Sequence, residues 1–159
     1  MQVQQVIMVD RPIEQVFDYI SDFTTSAVWD PGTATCHRVS GDGDVGTEYA
    51  KTWQRPGRRH RVDVRLTVTE YVQNHVFALH GSAGLVDSLL RFTVRPATAG
   101  PGQSCTRLTF TGDYVFRGWV RVLGPMLTRI LKQASDAVQV RLEEELLRLP
   151  VDEGARQAS

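Results

Sequence analysis

The sequence predicts an α+β chain in which a seven-stranded curved antiparallel sheet wraps around a long C-terminal helix, with two short helices after the first strand. Three observations carry this. From Ala34 to Tyr114 apolar and polar residues alternate with period two between Gly, Pro and Asn breakers, as antiparallel strands do. From Phe116 to Leu149 apolar residues such as Leu127, Ile130, Leu131, Val138, Leu142 and Leu146 return every three or four positions, as on one broad helix face. Ahead of both stands one alternating segment, a proline and a short apolar stripe.

Gln2 to Asp10 places Val3, Ile7 and Val9 on one side and is read as the first strand. Pro12 sits near the first position of a helix whose stripe is Ile13, Val16, Phe17 and Ile20, and Glu14 favours its positive end. A second short helix from Asp22 to Trp29 stops at Asp30-Pro31-Gly32, a turn by its chemistry. Six strands follow, at Ala34 to Ser40, Thr47 to Gln54, His60 to Tyr71, His75 to Gly81, Leu85 to Arg95 and Ser104 to Tyr114, joined by Gly-, Pro- or Asn-containing turns. With Gln73-Asn74 as a two-residue turn, Val72 faces His75, Phe77 faces Glu70 and Leu79 faces Val68. Across an Arg55 to Arg58 turn, Tyr49 and Trp53 align with Val64 and His60. Gly124-Pro125 should kink or restart the last helix, because Pro125 has no N–H to donate. Residues 1 to 149 form one domain on this reading, and 150 to 159 a flexible tail.

The chain has 159 residues, with 18 Lys+Arg balanced by 18 Asp+Glu, which suits one core large enough to stand without disulfide or metal and argues against nonspecific polyanion binding. No apolar run approaches the ~20 residues that span a bilayer, and Met1 to Gln5 lacks the basic start of a leader, so a cytoplasmic protein with no membrane partner is expected. Cys36 and Cys105 lie far apart and are read as reduced thiols. The four histidines share no metal-ligand spacing, so neither metal nor cofactor is expected. Gly41 to Gly46 matches the letters of a dinucleotide-binding loop, but a strand rather than a helix follows it. Arg55-Pro56-Gly57-Arg58-Arg59-His60-Arg61 is a basic hairpin tip that a phosphate or acidic partner could meet; it has no aromatic platform, which disfavours nucleic acid.

This order of elements resembles the START-like, helix-grip superfamily known as SRPBCC, in particular its polyketide cyclase/dehydrase branch. The words that carry the resemblance are Val9-Asp10-Arg11-Pro12-Ile13-Glu14-Gln15-Val16-Phe17-Asp18-Tyr19-Ile20-Ser21-Asp22 ahead of Trp29, then Val45-Gly46-Thr47, Val68-Thr69-Glu70-Tyr71, Phe92-Thr93-Val94-Arg95-Pro96 and Leu123-Gly124-Pro125. They span residues 1 to about 149 and are mostly turn and packing signals, informative about fold and nearly silent about chemistry. The resemblance implies a cavity between the long helix and the sheet, where relatives bind lipids, sterols, hormones or polyketides and some cyclise or dehydrate them.

Strand parity nominates the residues that would line such a cavity: Trp29, Tyr49, Trp53, Val64, Leu66, Phe77, Leu79, Ser88, Phe92, Phe110 and Tyr114, with Met126 and Ile130 from the helix. The aromatic members fit core packing as well. Inward polar groups are Tyr49, Lys51, His60 and Ser88, with Tyr114 near the mouth, while Arg65 and Arg91 face outward. The leading expectation is binding of a small hydrophobic molecule such as a polyketide, lipid or aromatic metabolite. The alternatives are a cyclase/dehydratase-type enzyme in which Tyr49 and His60 polarise or protonate a carbonyl or departing hydroxyl, and an interaction module using the Arg55–Arg61 hairpin. Exposed strands and a wide helix face are compatible with a weak homodimer.

Overall fold

In the computed structural model, residues 1–98, 100 and 104–150 are described. Strand β1 (Gln2–Val9) is followed by helix α1 (Ile13–Ser21), a 3-10 turn (Phe23–Thr25) and helix α2 (Ser26–Trp29). Strands β2 (Thr33–Ser40), β3 (Glu48–Gln54), β4 (Arg61–Val72), β5 (Val76–Ala83), β6 (Val86–Thr98) and β7 (Ser104–Phe116) come next, then a second 3-10 segment (Gly118–Leu123) and helix α3 (Gly124–Leu147). The sheet has the order β1-β7-β6-β5-β4-β3-β2 and every pairing is antiparallel. It is a meander whose last strand is closed by the first, and it is the helix-grip arrangement of one long helix against one face of a curved sheet.

Local chemistry explains where elements begin and end. Pro12 is the cap residue of α1 and Pro125 stands in the first turn of α3, where a missing N–H costs no helical bond. The Gly124-Pro125 pair therefore restarts a helix, and the stretch before it is 3-10. The last turn of α3 has no basic residue of its own. Arg11 serves instead, its Nε donating to Leu149 O at 3.1 Å and its Nη2 to Leu147 O at 2.6 Å. The expected tail lies outside the described residues from 151 onward.

Three expectations about pairing are corrected. The turn between β4 and β5 comprises Gln73, Asn74 and His75, with Asn74 at φ 60°, so Val72 pairs with Val76 and Phe77 with Tyr71 rather than Glu70. A bulge between Val68 and Glu70 absorbs the extra residue and restores the expected Val68–Leu79 pair. The connection between β3 and β4 runs from Arg55 to His60, so Tyr49 pairs with Leu66 and Trp53 with Val62. That displacement is an even step, so Tyr49, Trp53, Val64 and Leu66 keep a common face. Only His60 is lost from it: it is exposed and outside the strand. Finally, β6 continues through Pro96, which pairs with Thr106, although a loop is expected from Pro96 onward. The β5–β6 ladder ends at Val76–Thr93, so one side of β6 is an edge beyond that point and tolerates a proline.

The concave face is filled more completely than expected. One helix cannot fill it, but α1 contributes Val16, Phe17 and Ile20, and the turn after it drives Phe23 to the centre, where its ring lies 5.9 Å from Trp29, 6.0 Å from Tyr49 and 6.2 Å from Phe92. Phe92 in turn stacks at 5.0 Å on Phe110 and 6.3 Å from Phe77. Trp29, Tyr49, Leu66, Phe77, Leu79, Phe92 and Phe110 are accordingly buried in the core.

Candidate functional site

The filled region occupies one end of the concave face, and the other end is left half covered. The ladder aligns Tyr49, Leu66, Gly81, Ser88 and Tyr114 in one row across β3 to β7; beyond it Lys51 pairs with Val64, and Ala83 with Val86, which pairs in turn with Phe116. Apart from Tyr49, Leu66 and Gly81 these residues are half-buried, as are Trp53 and Val62 one row further. Helix α3 shows the same gradient. Val138, Leu142 and Leu146 in its second half are buried, whereas Leu127, Ile130, Leu131 and Ala134 in its first half are half-buried. The helix is pinned midway over β1, where Gln5 Nε2 donates to Ser135 Oγ at 3.2 Å and Asp136 Oδ1 at 2.8 Å, and Gln139 Nε2 donates to Val6 O at 3.3 Å. Two glycines keep the sheet low here: a Cβ on Gly81 would meet Ser88 Oγ at 2.5 Å, and one on Gly112 would meet the Tyr114 ring at 3.0 Å.

A charged pair stands against this apolar surface. Lys51 Nζ donates to Asp30 Oδ2 at 2.7 Å, with side-chain exposures of 10% and 9%. The Asp30 carboxylate also accepts from Thr33 Oγ1 at 2.7 Å and from the Gly32 N–H at 2.8 Å, and the Lys51 ammonium lies 5.6 Å from the Phe23 ring centre. Burial works to raise the Asp30 carboxyl, but the Lys51 ammonium and the bonds from Lys51, Thr33 and Gly32 outweigh it and hold the group below the usual carboxylate range. The Tyr114 hydroxyl is pushed well above the ordinary phenol range, chiefly by burial and then by the nearby Asp30 charge. Tyr114 therefore stays a neutral O–H donor at any physiological pH. The arrangement presents an ammonium, its carboxylate and a neutral phenol beside an apolar wall, which suits a mainly hydrophobic molecule with one polar end.

The structure sorts the nominated residues. Trp53, Val64, Ser88 and Tyr114 lie on the half-buried rows of the sheet, Ile130 is half-buried in the first half of α3, and Met126 in its first turn is exposed. Tyr49 is 1% exposed among Phe23 and its neighbours, its hydroxyl pushed up mainly by burial, so it and the exposed His60 do not face one space. Arg65 and Arg91 do face outward, toward Glu48 and Glu70. Asp30 escapes the sequence reading because its neighbours mark a turn. An inward lysine on a strand signals that some carboxylate must meet it, but many carboxylates could. An open cleft of about 500 Å³ is walled by Asp18, Asp22, Asp42, Asp44 and Arg38 with Tyr71 and the nominated Tyr49; its carboxylates make it too acidic for the apolar ligand expected. A smaller hollow of about 150 Å³ adjoins Pro31 and the Arg55 tip. Among the described residues no cluster of His, Cys, Asp or Glu is placed to hold a metal, and no helix is long and apolar enough to cross a membrane.

Comparison with known proteins bears on this geometry. A family model described as "Polyketide cyclase / dehydrase and lipid transport" matches residues 1–146. No curated protein sequence matches the chain. Among solved structures, a START superfamily protein from Mycobacterium smegmatis superposes with a TM-score of 0.75 at 18% identity, covering 94% of this chain and 99% of that one. The Zhui aromatase/cyclase from Streptomyces sp. R1128 gives 0.72 at 18% identity over 97% and 98%. TTHA0849 from Thermus thermophilus gives 0.75 at 14% identity over 92% and 97%. At these identities the likeness concerns the fold.

Proposed function

The chain belongs to the polyketide cyclase/dehydrase and lipid transport family, and from that premise we propose that it binds one small, mainly hydrophobic molecule at the half-covered end of its concave face. The apolar body of the ligand lies between the first half of α3 and the wall formed by Trp53, Val64 and Ser88, and its polar end meets Tyr114 and the Lys51–Asp30 pair. The observation that carries this reading is that pair: a shielded charge pair and a neutral phenol beside an apolar surface that the protein's own core does not cover. A carbonyl or hydroxyl fits these groups best, because Lys51 is already neutralised and Tyr114 offers an uncharged hydrogen bond.

The cyclase/dehydratase alternative assigns acid–base work to Tyr49 and His60, which the fold separates, so no specific observation favours it. The basic hairpin Arg55 to Arg61 is an exposed tip, and its arginine Arg61 donates to Gln54 Oε1 at 3.1 Å within its own hairpin.

The test is native mass spectrometry of freshly purified protein beside a denatured extract, followed by titration with a fatty acid and with an aromatic polyketide. A ligand retained only by the folded chain, or one saturable site that weakens several-fold in Tyr114→Phe and is blocked in Ile130→Trp, is the expected result. The absence of both a retained molecule and saturable binding of either probe class would overturn the proposal.

A further inference from the structure

The open end of the concave face is bordered by strongly exposed apolar side chains. Trp119 is 70% exposed, Val122 82% and Met126 53%, with Leu123 and Leu85 also showing apolar surface. Their spacing puts them in line. In the 3-10 segment residues three apart eclipse, which stacks Trp119 over Val122, and Met126 continues the row one turn on as α3 begins. The row is held on the body of the protein by Arg117, whose N–H donates to Leu85 O at 2.8 Å and whose guanidinium reaches Asp87 at 3.0 Å. Nothing in the core needs these side chains exposed. A tryptophan left largely in water is unusual for a chain that buries Trp29 and half-buries Trp53.

Charge along this segment is one-sided, although Arg117 is paired with Asp87 from β6. The whole chain is formally neutral, yet between Phe116 and Ser135 the charged residues are Arg117, Arg121, Arg129 and Lys132, and no Asp or Glu occurs. Arg121, Arg129 and Lys132 are exposed, and Arg129 and Lys132 flank the row at helical spacing. A row of Trp, Val, Leu and Met rimmed by arginine and lysine is the composition of a segment that lies in a membrane interface, apolar side down, with its cations against anionic headgroups. Lacking an apolar run long enough to span a bilayer bears on crossing it, not on resting upon it.

We infer that the segment Gly118 to Lys132 is a peripheral docking surface for an anionic phospholipid bilayer, with Trp119, Val122 and Met126 entering the interface and Arg121, Arg129 and Lys132 meeting the headgroups. Docking in this pose turns the half-covered end of the concave face toward the bilayer, from which an apolar ligand could pass without crossing water. The row stands exposed to solvent and its cations match lipid phosphate, so a lipid surface is the occupant.

The test is co-sedimentation of the purified full chain with phosphatidylcholine vesicles prepared with and without phosphatidylglycerol. Binding is expected to the anionic vesicles, to fall with added salt, and to shift Trp119 emission to the blue. About 1 kcal/mol per basic residue near an anionic leaflet corresponds to about a fivefold loss of partitioning for each arginine neutralised, so Arg121→Gln with Arg129→Gln should lose about 25-fold. Trp119→Ala should also weaken binding, while all these variants keep the circular dichroism of the parent because the side chains lie outside the core. Absence of binding to anionic vesicles, or binding that survives both sets of substitutions, overturns the inference. So does a concentration-dependent dimer in light scattering that Trp119→Ala dissociates while vesicles stay unbound, since the row would then be an interface between two copies.

Discussion

Replacing Lys51 by methionine keeps most of the side chain's bulk against Phe23 and removes only its charge, leaving Asp30 9% exposed without its cation. Removing one partner of a buried ion pair costs about 3–5 kcal/mol. Two features of Asp30 hold the cost toward the lower part of that range. Its carboxylate keeps the bonds from Thr33 Oγ1 and the Gly32 N–H. It can also protonate, and from an unfolded carboxyl near 3.9 this caps the charge penalty at about 4 kcal/mol at pH 7 and about 1.5 kcal/mol at pH 5. The pH dependence carries the sign. In the parent chain the Asp30 carboxyl is depressed, so the folded state binds fewer protons than the unfolded one, and this stability is present above about pH 4 and lost as the pH falls through the depressed value. Without Lys51 the burial that already opposes the charge prevails, the folded carboxyl rises above its unfolded value, and stability falls as pH rises. Urea midpoints followed by far-ultraviolet circular dichroism at pH 7 and pH 5 should therefore show a Lys51→Met loss of about 3–4 kcal/mol at the higher pH and no more than about half of that at the lower. Adding Asp30→Asn should recover much of the loss at pH 7, because the residues are coupled. A loss that is the same at both pH values, or strict additivity of the two substitutions, would refute the reasoning.

Phe92→Ala, at the centre of the aromatic cluster, should destabilise by about 3–5 kcal/mol in the same urea assay, the cost of a large core cavity. Gly81→Ala pushes a methyl into Ser88 Oγ and Leu66 at the floor of the candidate site and should cost about 1–3 kcal/mol, lowering the melting temperature by about 2–4 °C for each kcal/mol. Arg11→Ala releases the carbonyls of Leu147 and Leu149 and should cost about 1–2 kcal/mol, seen as faster amide exchange confined to the last turns of α3.

Much of the architecture was legible because it rests on local chemistry. Period-two alternation in Val62, Val64, Leu66 and Val68 marks both a strand and its inward face, and an error in the β3–β4 connection left that face intact because the true register differs by an even step. The β4–β5 turn was less legible. Gln73-Asn74 also serves a longer turn with Asn74 in the left-handed region, and the compensating bulge at Thr69 leaves no mark in composition. At the candidate site, Trp53, Val64, Ser88 and Tyr114 could be named from parity, whereas their division from Phe77, Phe92 and Phe110 could not. Parity tells which side a residue faces and not what stands opposite.

The sequence by itself determined the order of elements, the strand faces, the restart of the last helix at Gly124-Pro125 and membership of a recognisable fold, since turn residues and hydrophobic period act within a few positions of the chain. Only the tertiary structure decided that Phe23 fills one end of the concave face, that Asp30 answers Lys51, and that the other end stays half covered beneath the first half of α3. Those facts join residues far apart in sequence through shape and desolvation. A buried charge selects its partner by proximity in the folded chain, and a concavity is closed by whichever side chains the folded chain brings over it.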